Sequence, residues 1–131
     1  MTYNLFISHS WAYSDAYNKL INMLNNAPSF SYKDYSVPKS DPIHNAIYDY
    51  QLKAAIRNQM QHASCVLILA GVYATYSKWI RIEIELAQEL GKKIIAVQPW
   101  GAEHTSIIVK NSAHEIVGWN TSSIIRSIKG Q

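Results

Sequence analysis

One cysteine, Cys65, rules out any disulfide within the chain. It lies in an apolar run, Ala63-Ser64-Cys65-Val66-Leu67-Ile68-Leu69-Ala70, and reads as a buried core thiol. Long apolar stretches are missing too: none approaches the roughly 20 residues needed to cross a bilayer. The opening residues carry no basic segment, and polar Asn4 and Ser8 interrupt them. A cytoplasmic protein without membrane contact is therefore expected. Charge of either sign is sparse. Twelve Lys and Arg against nine Asp and Glu leave a net charge of +3, and the longest basic run is Lys92-Lys93. Nothing in that pattern predicts a nucleic-acid partner. The five histidines, His9, His44, His62, His104 and His114, lack metal-ligand spacing and are expected in loops or on the surface, with no metal site. Neither a GxGxxG fingerprint nor a P-loop is present.

What is present is an alternation of apolar strands and amphipathic helices. At 131 residues the chain is expected to form one domain, residues 1–131, with a single real core. The first strand is predicted over Tyr3–Ser8. A helix follows, capped by Ser10 or Ser14, with Tyr13, Tyr17, Leu20 and Leu24 at helical spacing and Pro28 ending it. Phe30–Val37 alternates as a half-exposed strand, and Pro38 to His44 is a loop. Tyr48–His62 is predicted as the second helix, with Ile47, Tyr50, Leu52, Ala54, Ala55, Ile56 and Met60 as its apolar positions. The Cys65 run is apolar nearly throughout, as a strand covered on both faces would be. A helix over Ser77–Leu90 ends at Gly91, and Lys93–Gln98 is the fourth strand. Ile107–Val109 and Glu115–Val117 compete as the fifth strand, before a closing helix over Thr121–Ile128.

This βα alternation predicts a flavodoxin-like α/β fold: a three-layer α/β/α sandwich on a parallel five-stranded sheet, order 2-1-3-4-5. In that order ligands bind beyond the carboxyl ends of the first and third strands, where the connections diverge. Ser8-His9-Ser10-Trp11 leaves the first strand there, and Ala70-Gly71-Val72-Tyr73 leaves the third.

Glu83 stands out within the helix that follows. At about 100° per residue, positions three and four away share a face. Around Glu83 these are Trp79, Ile80, Leu86 and Ala87, all apolar. Around Glu85 they are Arg81, Ile82, Gln88 and Glu89, so Glu85 is expected on a wet face, paired with Arg81. Glu83 thus points inward. Burial of a carboxylate without a partner costs several kcal/mol, which makes the position a candidate for chemistry. A structural carboxylate that only braces the crevice is the competing reading.

Other users of this architecture fit poorly. A phospho-receiver needs acidic residues after the first and third strands, and none stands there. A flavin cradle needs glycine where His9 and Trp11 stand. A nucleophilic serine needs a Gly-flanked elbow that Ser8 and Ser10 lack. One carboxylate beside aromatic walls suits cleavage of an N-glycosidic bond through an oxocarbenium-like transition state. Trp11, Tyr35 and Trp79 are candidates to stack the departing base. Trp11, Trp100 and Trp119, in or near loops, are candidates for a protein interface as well.

Three stretches carry a family resemblance. Leu5-Phe6-Ile7-Ser8-His9-Ser10 resembles the opening strand of TIR domains. Ser77-Lys78-Trp79-Ile80-Arg81-Ile82-Glu83-Ile84 resembles their Trp-x-x-x-Glu helix, and Gly91-Lys92-Lys93-Ile94-Ile95-Ala96-Val97 the strand after it. Together with Asp34-Tyr35-Ser36-Val37-Pro38, the ordered set is similar to the TIR-like branch of bacterial antiphage systems of the Thoeris type.

The resemblance implies an NAD⁺-cleaving enzyme with Glu83 as catalytic residue. It also implies that Ser8, His9 and Ser10 border the nucleotide site and that Trp79 is the motif tryptophan. NAD⁺ would be substrate, with no cofactor. The product would be a cyclic or conjugated ADP-ribose signal acting on a separate effector, and activation would involve homo-oligomeric assembly. The loop from Val37 to His44 departs from the family's glycine-containing form. Two alternatives stay open: a non-catalytic TIR-like interaction module, and a nucleoside deoxyribosyltransferase-like enzyme.

Overall fold

A computed structural model of the chain describes residues 2–8, 16–35, 49–69, 78–98 and 107–130. At positions 16, 17, 49, 52, 69, 78–80, 107 and 108 only the backbone is described. The elements run β1 (Thr2–Ile7), α1 (Ala16–Asn26), β2 (Ser31–Asp34), α2 (Asp49–Met60), β3 (Cys65–Leu69), α3 (Lys78–Glu89), β4 (Lys93–Gln98), α4 (Ile107–Ser112), β5 (Glu115–Gly118) and α5 (Thr121–Lys129). The five strands pair in parallel in the order β2-β1-β3-β4-β5. This is the flavodoxin-like order expected from the alternation of elements. Ile107 opens a helix, and Glu115 starts the fifth strand. The competition between those two segments is settled in favour of the second.

Side-chain parity divides the core in two. Phe6, Val66, Ile68, Ile94 and Ala96 point to one face of the sheet, under Ile56 and Met60 of α2, Ile82, Ile84, Leu86 and Ala87 of α3, and Val109 of α4. Leu5, Ile7, Cys65, Leu67, Ile95 and Val97 point to the other, under Leu20 and Leu24 of α1 and Ile124 and Ile128 of α5. Both faces are covered, which is why β3 and β4 read as unbroken apolar runs. Two positions expected to be apolar on α2 are not buried: Tyr50 is 68% exposed and Ala54 is exposed. Only one flank of α2 meets the core, so Ile56 and Met60 carry its burial. Trp119, considered above as an interface residue, is half-buried and packs against the α1/α5 side of the core. Trp11 and Trp100 lie outside the described residues.

Local signals explain the helix ends. Gly91 takes φ 70°, and Lys92 N–H donates to the Ala87 carbonyl at 2.8 Å, closing α3 with a left-handed residue. Asn120 caps α5: its side-chain oxygen accepts from Ser123 N–H at 3.1 Å. Replacing this cap, Asn120→Ala, is expected to cost about 1 kcal/mol, read as a lower urea midpoint.

Polar groups at the sheet's amino end are paired. Lys93 reaches Glu115 on β5 at 2.5 Å and donates to the Ser127 carbonyl of α5 at 2.8 Å. The hydrogen bond from Lys93 holds the Glu115 carboxyl below its usual range. His114 is structural: its Nδ1 accepts from Ile94 N–H at 2.9 Å. His62 is exposed, and its ring stacks on Tyr35 with centroids 5.4 Å apart. Tyr35 therefore has a partner within the fold at the place where a stacked base was considered. No cluster of His, Cys, Asp or Glu able to hold a metal occurs among the described residues. Nor is any helix among them long and apolar enough to cross a membrane.

Cys65 is 3% exposed, and burial pushes its thiol up to about 11, against a small opposing pull from Lys93. The folded chain holds this proton more tightly than the unfolded chain does. Its contribution to stability is intact below the ordinary value of 9.0 and is lost as pH rises toward about 11. Melts of Cys65→Ala between those limits are expected to show a shallower fall in stability than wild type. An equal slope in the two proteins would show that Cys65 is not the group responsible.

Candidate functional site

β1 and β3 lie side by side, and the helices that follow them lie on opposite faces of the sheet, α1 on one and α3 on the other. Ser8 continues β1 by one residue: its N–H donates to the Leu67 carbonyl at 2.8 Å. Strand parity puts the Ser8 side chain on the same face as Phe6, beneath α3. Glu83 lies in the second turn of α3, between Ile82 and Ile84.

Ser8 and Glu83 are both buried at 0% exposure, two of the few buried polar residues described. The Ser8 hydroxyl donates to Glu83 Oε1 at 3.4 Å. That is long for an O–H···O bond, as contacts in ligand-free sites often are. The inward orientation read from helical spacing is therefore present, and the polar residue just beyond β1 meets it.

The buried arc of α3 is broader than spacing alone indicated. Ile82, placed with Glu85 on the wet side, is buried. α2 and α4 flank α3 and cover its sides as well as its inner face. Glu85 and Glu89 face outward, as expected for Glu85, but the partners come from α2. Glu85 pairs with Lys53 at 3.8 Å, and Glu89 accepts from Arg57 at 2.6 Å. Glu85 thus does not take Arg81 as its ion-pair partner, because the neighbouring helix brings a lysine to it. These exposed pairs join α2 to α3 with small individual energies.

Of the other site residues read from sequence, His9, Ser10 and Trp11 lie outside the described residues, as do the positions of the Val37–His44 loop. Trp79 falls in the first turn of α3, where only the backbone is described. The structure therefore brings Ser8 and Glu83 together and leaves the aromatic wall undescribed. The contact between them joins residues 75 apart in sequence. Only the sheet order could bring them to one place.

A doubly wound parallel α/β domain with a buried carboxylate at the strand 1/strand 3 switch point is the class defined by this fold and site. Residues 6–104 match the family described as Thoeris protein ThsB, TIR-like domain, and the chain belongs to that family. A Cytobacillus dafuensis protein named "Putative cyclic ADP-D-ribose synthase TIR2" is 21% identical over 124 residues, covering 93% of this chain. The chain spans about a third of that relative's length, 32%. Among solved structures, the Clostridium botulinum CMP N-glycosidase BcmB matches with a TM-score of 0.55 at 16% identity. That match covers 98% of this chain and 99% of the other. At such identity the likeness establishes the shared fold.

Proposed function

We propose that this domain cleaves the N-glycosidic bond between nicotinamide and ribose in NAD⁺, forming an ADP-ribose-derived signal in antiphage defence. The observation that carries the reading is Glu83, a buried carboxylate at the switch point that takes a hydroxyl contact from the end of β1. Membership of the Thoeris TIR-like family supports it. So does the name of the Cytobacillus dafuensis relative, a cyclic ADP-D-ribose synthase. The Clostridium botulinum protein of the same fold is named as a CMP N-glycosidase, an enzyme of N-glycosidic chemistry on a nucleotide.

In the proposed step the bond from ribose C1′ to the pyridinium nitrogen breaks. Its electron pair leaves with nicotinamide, which departs neutral. The positive charge left on the ribose is oxocarbenium-like, and an anionic Glu83 beside it stabilises that charge or traps C1′ covalently. Water, losing a proton, or a nucleophilic atom of the same ADP-ribose then bonds to C1′. Trp79, Trp11, His9 and Ser10 are the proposed contacts to the base and nucleotide. No cofactor enters this scheme. A homo-oligomer as the active form, and a separate effector that senses the product, belong to the same proposal.

Glu83 has no solvent exposure in this structure, so substrate contact requires the site to open. The same observation favours a second reading, a non-catalytic TIR-like module in which Glu83 braces the crevice. Chromatographic measurement of nicotinamide release from NAD⁺ separates the two. The assay uses purified protein over a concentration series and lysate of phage-infected cells expressing it. Release above a matched blank lacking the protein is the expected result. No release in any arm would leave the non-catalytic reading. Release of cytosine from CMP, or base exchange on a deoxynucleoside, with NAD⁺ untouched would move the substrate to another nucleotide class.

A further inference from the structure

We infer that Ser8 is a positioning residue for Glu83, acting on the carboxylate and not on the substrate. The inference rests on the proposed role of Glu83 and concerns how that residue is held.

Ser8 is the first residue beyond β1, yet its backbone is still part of the sheet through its N–H bond to Leu67. Its position is therefore set by the β1–β3 pair, whose paired residues are buried. Glu83 rides on a different element. It belongs to α3, whose place depends on packing over Phe6, Val66 and Ile94 and on the flanking helices α2 and α4. A glutamate side chain has three rotatable bonds, so its oxygens can take several directions. The Ser8 hydroxyl supplies direction: it donates to Oε1 from a fixed strand at 3.4 Å. A hydroxyl donor also favours the charged form of the acceptor, the form that an oxocarbenium-like centre requires.

Side-chain parity explains why serine stands at this position. The β1 residues facing α3 alternate, and the one before Ser8 in that series is Phe6, which fills the core. An apolar residue at position 8 would continue that wall and leave Oε1 without the strand's donor. The Ser8 hydroxyl faces the carboxylate, and this is the geometry of a group acting through another.

Steady-state kinetics on NAD⁺ test the inference, with Ser8→Ala, Ser8→Thr and Ser8→Cys beside Glu83→Gln and wild type. Ser8→Ala is expected to lower kcat by about 10- to 100-fold, the scale of one hydrogen bond to a charged group, with KM changed little. Ser8→Thr, which keeps the hydroxyl, is expected to recover most of kcat. Ser8→Cys, of similar size with a weak donor, is expected to stay low. Thermal melts identify the folded variants, and Thr against Cys carries the test if Ala does not fold. A raised KM at unchanged kcat would make Ser8 a substrate contact and overturn the inference. Equal kcat in folded Thr and Cys variants would overturn it also. If Glu83→Gln turns over as wild type does, the reading of Glu83 fails. If Glu83→Gln is inactive and Ser8→Ala is unchanged, only the Ser8 inference fails.

Discussion

Glu83→Gln is expected to lower nicotinamide release from NAD⁺ by about 10³-fold or more, the scale seen when a group that stabilises transition-state charge is removed. Glutamine has nearly the same volume and keeps an oxygen able to accept from Ser8, so packing is preserved while the negative charge is lost. Thermal melting should therefore stay close to wild type or rise, because a buried charge has been replaced by a neutral amide. Glu85→Gln is the matched control. It lies two residues away, faces outward and pairs with Lys53, so its loss removes only an exposed ion pair. Activity retained in Glu83→Gln and lost in Glu85→Gln would invert the assignment of the two helix faces. A strongly destabilised Glu83→Gln protein would point to the bracing role.

The largest expected effect on stability is at Phe6. It is fully buried in the cluster formed by α2, α3, α4 and one face of the sheet. Phe6→Ala is expected to cost about 3–5 kcal/mol, through lost burial together with the cavity left among stiff neighbours. Domains of this kind have about 5–15 kcal/mol in total, so the variant would be marginal at ordinary temperatures. Urea titration should show a lower midpoint with little change in slope. A loss under about 1 kcal/mol would mean that the α3 face of the sheet can collapse around the gap. Phe6 also lies two residues before Ser8 on the same face, so the variant further tests whether the Ser8–Glu83 contact needs a filled wall beside it. If it does, kcat falls in the fraction that remains folded.

Much of the fold was legible in the residues. The expected bounds of β4 are the observed ones, and the other strands and helices fall within a few residues of theirs except α4, whose residues read only as a competing strand over Ile107–Val109. The clear signals were apolar runs broken by Gly91 and Pro28, both of them local and covalently close. The fifth strand was ambiguous because Ile107-Ile108-Val109 and Glu115-Ile116-Val117 each offer adjacent β-branched residues over so short a span. Pairing decided it: Glu115 to Gly118 align with Ile95 to Gln98, and β4 has one remaining edge to offer. Tyr50 and Ala54 were misplaced because spacing on α2 does not say how wide a flank its neighbours will cover.

The sequence by itself determined the element order apart from α4, the parallel sheet and the inward arc of α3 that carries Glu83. These follow from periodicity, which each segment holds in its own residues. Tertiary structure alone decided what meets that carboxylate and what does not. Ser8 reaches Glu83 because β1 and β3 are neighbours in the sheet, although 75 positions separate the two residues in the chain. Glu85 takes Lys53 because α2 packs beside α3. Such contacts depend on which surfaces the whole chain must cover at once, and no single segment contains that information.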